Sequence, residues 1–181
     1  MEAIGHRDAF ELMIALADKK EPLTERVVKD LHSLVLMNDA RYKGMYRDVP
    51  VAVLSAANRP ALPYLIAPQM ESLMACYKDI LDRRHPIEAI AEFHLRFEGI
   101  HPFIDGNGRT GRLTINLELI KQGYLPVNIK FADKDKYYAC FDDYYGERQT
   151  ADSLTKLLLN YEINELDRYI KIVEQANPCD C

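Results

Sequence analysis

Twelve residues limit what this chain can fold into: His101-Pro102-Phe103-Ile104-Asp105-Gly106-Asn107-Gly108-Arg109-Thr110-Gly111-Arg112. They interrupt two apolar, helix-patterned segments. Upstream, Ile90, Phe93, His94 and Phe97 recur at three- and four-residue spacing, and downstream Leu113, Leu117 and Ile120 do the same. Each segment must bury its stripe, so the loop between them is pinned at both ends by core helices. Glycine takes up φ > 0 and lets a ligand approach the backbone. A Gly-Asn-Gly turn ahead of a helix can aim several N–H groups at one anion. Arg109 and Arg112, three apart, share a helix face. Asp105 can hold a divalent cation and His101 can take a proton. Singly, each has an ordinary reading: a turn signal, a core histidine, a solvated pair of arginines. Together, two cations aimed where N–H groups already point repel one another unless an anion fills the space. The cluster reads as a site for a nucleotide phosphate chain with a base beside it.

The rest of the chain is expected to be helical. At 181 residues, one domain with a real core is expected. Phe10, Met13, Ile14 and Ala17 mark a first helix over 6–17. Thr24 caps a second, whose apolar face is Val27, Val28, Leu31, Leu34 and Val35, with His32 placed on the solvated side. Met70, Leu73, Met74, Tyr77, Ile80 and Leu81 mark a third, ending near residues 83–84. Pro86 opens a fourth, where its missing N–H is harmless, and Gly99 is expected to close it. On that helix His94 reads as a buried, hydrogen-bonded support for the loop. Gly123 stops the helix after the loop, residues 135–145 form another, and Leu159, Ile163, Leu166, Ile170 and Val173 a last one to about 173. The one plausible β segment, 51–54, is read as part of a hairpin.

A net charge of −5 argues against a nucleic-acid binder, while leaving room for a local basic pocket. No apolar run approaches the ~20 residues a bilayer requires, so no membrane partner is expected. Cys76 and Cys140 read as buried thiols. Cys179 and Cys181 sit in a polar tail, and none of the four has metal-ligand spacing, which favours a reducing cytoplasm.

Residues 101–112 match in full the pattern H-P-F-x-[D/E]-G-N-G-R-x-x-R, and the chain here resembles the Fic domain family. The resemblance extends to the preceding helix (89–98), to Gly123-Tyr124-Leu125-Pro126 and to Tyr137-Tyr138, covering about 31–159; more weakly, residues 2–6 resemble the helix that precedes the core in many relatives. It implies an all-α fold, a Fic-type helical bundle with a short β-hairpin flap near the active site, with N-terminal helices over 6–37 and the whole of 1–181 as one domain. It also implies a protein adenylyltransferase, which moves AMP from ATP to a Ser, Thr or Tyr hydroxyl of a target protein and releases pyrophosphate. By the same resemblance His101 is the base, Asp105 the ligand for Mg²⁺ (Mn²⁺ could serve), and Gly106, Asn107 and Gly108 hold α- and β-phosphate oxygens. Arg109 and Arg112 clamp the outer phosphates, and Tyr138 meets the adenine. The flap, 44–54 with Gly44, Val51 and Val53, docks the target backbone. At the position where a comparable relative has Asn, seven residues past Tyr138, this chain has Tyr145, which leaves the choice of base open.

Many relatives carry an inhibitory helix, [S/T]-x-x-x-E-[G/N], whose Glu pairs with the second motif arginine, here Arg112. The nearest match, Thr114-Ile115-Asn116-Leu117-Glu118-Leu119, ends in Leu and lies inside the helix after the motif. The expectation is a deregulated transferase, with the inhibitory Glu supplied from upstream or by a separate partner, as small antitoxins do for some family toxins. A homodimer through the outer helices stays open. So do phosphate or phosphocholine transfer on the same fold, the former disfavoured by the intact loop, and a nucleotide-binding regulatory module without turnover.

Overall fold

The segment ahead of the loop becomes the central helix of the bundle. In the computed structural model, residues 2–53, 58–146 and 148–176 are described, with side chains from residue 5. Seven α-helices run among them: α1 (Glu2–Asp18), α2 (Glu25–Val35), α3 (Pro63–Arg83), α4 (Pro86–Ile100), α5 (Asn107–Lys121), α6 (Lys134–Tyr145) and α7 (Asp152–Ala176). A single 3-10 turn, Phe131–Asp133, leads into α6. Helix α4 packs against α3, α5 and α7, and α5 packs in turn against α1 and α2. Residues Ile87, Ile90, Phe93, Leu95 and Phe97 are all buried, so α4 is covered on most sides rather than along one stripe.

The helix boundaries follow local chemistry. Thr24 Oγ1 accepts the Val27 N–H at 3.3 Å and starts α2. Pro63 and Pro86 occupy first-turn positions of α3 and α4. Helix α3 therefore begins at Pro63, ahead of Met70, the first residue of the stripe that marks it in the sequence. Gly123, at φ 85, ends the chain's run beyond α5 as expected. Helix α4, by contrast, continues through Gly99 to Ile100, and His101 is its cap. Phe10 lies 40% exposed, although its spacing put it on the buried face of α1.

Two apolar clusters hold the bundle. The larger includes Ile66, Met70, Leu73, Tyr77, Phe93, Phe97, Phe103 and Leu158; the smaller joins Met13, Val27, Leu31, Val35, Leu113 and Leu117. The buried Glu118 is satisfied between them, accepting from Tyr77 Oη at 2.8 Å and from Lys121 Nζ at 2.7 Å. Cys140 is a buried free thiol and Cys76 a half-buried one; Cys179 and Cys181 lie outside the described residues.

The expected hairpin is absent from the described residues: residues 44–53 run as turns and coil, and Leu54, its expected end, lies outside them. The physical reason is where the hydrogen bonds go. The Arg47 N–H donates to Pro102 O at 3.0 Å and its guanidinium to carbonyls of the 100–101 corner, so this part of the segment pairs with the loop rather than with itself. Pro50 removes a further ladder donor. None of the helices among the described residues is long and apolar enough to cross a membrane.

Candidate active site

Helix α4 stops at His101 in a left-handed conformation, φ 51 and ψ 62, with its N–H donating to Phe97 O at 3.0 Å. A non-glycine residue there costs roughly 1–2 kcal/mol, so the surroundings must over-determine it. Arg47 does this. Its side chain is buried, and it donates from Nε to His101 O (2.8 Å), from Nη1 to Val49 O (2.9 Å) and from Nη2 to the Ala61 and Ile100 carbonyls. The guanidinium ties the backbone of 47–49, the entry to α3 and the end of α4 into one corner. Burial lowers its pKa.

The His101 imidazole is itself largely buried, and burial pulls its pKa below the usual 6.5. The Glu98 backbone and Asp105 oppose that shift, while the charge on Arg47 adds to it. At neutral pH the ring is uncharged and can accept a proton.

The loop after it is braced from inside. Asn107 is buried at the start of α5, where its Oδ1 accepts the Phe103 N–H and its Nδ2 donates to Phe103 O, both at 2.9 Å. The side chain expected to hold phosphate oxygens therefore closes the loop on itself; what Asn107 offers an anion from here is its place in the first turn of α5. Gly106 caps that helix at φ 77, where a Cβ would also stand 3.2 Å from Val35 Cγ1.

His32, placed on a solvated side by the sequence reading, is instead fully buried and stacked on Phe103 with ring centroids 3.7 Å apart. Its Nδ1 accepts the Gly44 N–H at 2.9 Å, so the proton sits on Nε2, which donates to Asp105 O at 3.0 Å. Burial lowers its pKa and favours this neutral form. The signal was present in the spacing: His32 lies four residues after Val28 and three before Val35, on the same face. His32 thus joins Gly44, at the root of the 44–53 segment, to the loop carrying Asp105.

The Asp105 carboxylate is exposed. Its Oδ1 accepts the Gly106 N–H at 2.6 Å and its Oδ2 pairs with Arg109 Nη2 at 3.0 Å. Arg112 turns inward beside the Tyr137 hydroxyl, whose pKa its charge pulls down against the larger upward push of burial. A cavity of about 660 Å³ brings together His101, Gly108, Arg112, Tyr138 and Val53. An adjoining cavity of about 900 Å³ shares Arg112, Tyr137 and Tyr138, and is lined by Arg109, Lys130 and Lys134. Tyr138 is half-exposed on the shared wall, while Tyr137 is buried. Tyr145 closes one end of the first cavity, its hydroxyl donating to Leu95 O at 2.8 Å. Gly44 instead stands at the His32 contact.

His94 is fully buried as expected, with Nε2 2.6 Å from the Tyr137 hydroxyl, and burial takes its pKa down to about 3. Glu98 carries no signal in the sequence motif. It is mostly buried, lines the same cavity as His101, and has its pKa pushed up to about 7 by burial, against the pull of Arg112.

Residues 22–119 match the Fic/DOC family. The protein adenylyltransferase Fic of Nematostella vectensis is 35% identical over 143 residues, covering 76% of this chain and 32% of that protein. The enzyme of the same name from Drosophila willistoni is 34% identical over 143 residues, covering 76% of this chain and 28% of the relative. The chain thus spans about a third of the length of these curated relatives. A Fic domain-containing signalling protein from Bacteroides thetaiotaomicron superposes with a TM-score of 0.81 at 30% identity, over 92% of this chain and 69% of that one. A Fic-1 fragment from C. elegans has the same fold, with a TM-score of 0.84 at 24% identity over 97% of this chain and 52% of its own.

Proposed function

The chain belongs to the Fic/DOC family, and from that premise we propose that it transfers the AMP part of ATP to a Ser, Thr or Tyr hydroxyl of a protein, releasing pyrophosphate. One observation carries the reading: His101, held neutral by burial, lines the same cavity as Arg112, Gly108 and Tyr138. A hydroxyl is a poor nucleophile until a base takes its proton, and a neutral imidazole serves at ordinary pH. The oxygen attacks the α-phosphorus as the bond to the pyrophosphate oxygen breaks, and His101 keeps the proton. Charge builds on the leaving oxygens, where Arg112, Arg109 and the first turn of α5 are aimed. The half-exposed Tyr138 ring supplies a stacking face for the base. The 44–53 segment, Val53 included, lies where a target chain would approach.

Asp105 fits a Mg²⁺ ion held chiefly by phosphate. It is a lone exposed carboxylate beside the α5 N-terminus, and among the described residues no group of three or more His, Cys, Asp or Glu could cage a metal. When bound, the ion would offset charge on the bridging phosphate oxygens. Asp105 would then share its contact with Arg109. Further parts of the proposal are a regulatory Glu, from another segment or a partner, entering the basic cavity at Arg112, and a homodimer covering Ile163, Leu166 and Ile170 of α7, which are exposed here. The free thiols fit a cytoplasmic setting.

Intact-mass spectrometry of the protein with ATP and Mg²⁺, beside His101→Ala, tests the central claim. The expected result is a gain of one AMP on the wild type alone, or on a protein in added lysate when labelled ATP is supplied. A gain of one phosphate, or silence in both formats, overturns it.

A further inference from the structure

Helix α4 presents His94 and Glu98 at i and i+4 toward α5 and α6, and its left-handed cap His101 follows three residues later. Glu98 stands between the two histidines. Its Oε2 is 3.9 Å from His101 Nδ1, and its Oε1 is buried with no hydrogen-bond partner among the described residues. An unpartnered buried carboxylate oxygen is costly, so its retention beside the base requires a reason.

The groups around it supply one. The Tyr137 hydroxyl stands beside the Arg112 guanidinium and 2.6 Å from His94 Nε2, where it can donate its proton to that nitrogen. The His94 proton then sits on Nδ1, against the backbone of Gly111. Glu98 Oε1 and His94 Nδ1 both face α5 at Gly111, where a Cβ would come within 2.8 Å of the one and 3.0 Å of the other. One turn earlier, a Cβ on Gly108 would stand 3.2 Å from Arg112 Nη1 and 3.8 Å from Glu98 Oε1. Gly108 and Gly111 therefore make room for Glu98 and Arg112, which explains a glycine at position 111 that no backbone conformation demands. The result is a run of adjacent groups from the phosphate-clamping arginine to the base: Arg112, Tyr137, His94, Glu98, His101.

We propose that Glu98 is a positioning residue for His101: its backbone already takes a hydrogen bond from the ring, and its carboxylate, 3.9 Å from Nδ1, closes on that edge as the ring gains charge, leaving Nε2 to take the target's proton and stabilising the imidazolium that results. No proton passes to Glu98. The hydroxyl proton moves to Nε2, and Nδ1–H stays on the ring. The 3.9 Å separation must close by about 1 Å as the ring gains charge, as expected for a contact that tightens only in the reacting complex. The charged and titratable groups facing Glu98 are His94 and His101 from its own helix, Arg112 from α5, and Tyr137 and Tyr145 from α6. Burial makes Glu98 a carboxylate only above about pH 7, with Arg112 pulling the other way.

The inference rests on the adenylyl-transfer reading for its kinetics but not for its spectroscopy, so both are measured on the full chain. Imidazole NMR of His101 is followed from pH 5 to 9 in the wild type and in Glu98→Gln. In the wild type, the His101 signals should show the ring's own titration and a second inflection near pH 7; in Glu98→Gln the second should vanish. In transfer assays, kcat should fall about tenfold or more in Glu98→Gln, with KM for ATP within about twofold. The limb of kcat/KM near pH 7 should move below pH 6.5. Glu98→Asp, which keeps the charge on a shorter arm, should retain the inflection, and it decides the matter if the Gln variant does not fold. Identical His101 titrations in wild type and variant overturn the proposal. If the wild type transfers no AMP, the function reading fails, and the NMR comparison still upholds or refutes the role of Glu98.

Discussion

Replacing Glu98 by Gln should change how stability responds to pH, by an amount that follows from two buried groups. Glu98 carries a proton up to about pH 7 in the fold but only to about 4.5 when unfolded. Its stabilising contribution is complete below pH 4.5 and is lost as pH rises to 7, about 3 kcal/mol at ~1.4 kcal/mol per unit. His94 has the opposite sign. Its pKa is about 3 in the fold against 6.5 unfolded, so it removes stability as pH falls below 6.5. Between pH 4.5 and 6.5 the unfolded chain holds the extra proton on His94 while the folded chain holds it on Glu98, and the two slopes cancel. Gln cannot take part in that exchange, so the variant should show the bare His94 slope, about 1.4 kcal/mol lost per unit of acidification. Groups that Glu98 does not approach, His32 among them, drop out of the difference. Urea unfolding at pH 4.5, 5.5, 6.5 and 8 measures it. The variant should gain about 3 kcal/mol on the wild type across that range, a relative midpoint shift of about 1–2 M for a chain of this size. A difference that stays flat within about 0.5 kcal/mol would falsify the placement of a protonated Glu98 beside a neutral His94.

Three other perturbations have expected outcomes. His32→Ala removes the partners of Gly44 N–H and Asp105 O along with the Phe103 stack. It should cost about 3–4 kcal/mol and lower Tm by about 10 °C by calorimetry, and a drop under about 3 °C would mean the brace is not needed. Gly106→Ala places a side chain at φ 77 against Val35. It should cost about 1–2 kcal/mol in denaturant unfolding and weaken nucleotide binding, and full stability would show that the loop can re-form another way. Tyr138→Ala, at a half-exposed position, should leave Tm within about 1 °C and raise KM for ATP about tenfold; an unchanged KM would place the base elsewhere.

The helices were legible because their signals are local. Thr24, Pro86 and Gly123 mark ends through backbone chemistry that neighbours do not alter, and the stripes on α2 and α3 follow from a fixed 3.6-residue period; α7 is a helix as expected, but it buries Leu154, Leu158 and Tyr161 and leaves Ile163, Leu166, Ile170 and Val173 of the expected stripe exposed. The 101–112 loop was legible because its residue types make sense only together. The expected hairpin at 44–54 was not, because its apolar run has the same local preference whether its N–H groups meet a partner strand or the 100–102 corner, and Arg47 chooses the corner. His32 was misplaced because a histidine at a face boundary is polar by type, while its burial depends on Phe103, seventy-one residues away.

The sequence by itself determined an all-α bundle, the loop pinned between α4 and α5, and the set of groups able to meet a phosphate chain. Only the tertiary structure decided which polar groups are buried together. It set Asn107 to brace the loop instead of facing outward, joined His32 to Asp105, and put Glu98 between His94 and His101 over two glycines. Secondary structure is fixed by interactions within a few residues. The charge state of a buried side chain is fixed by what distant segments bring within a few ångströms of it, and that is a property of the packing.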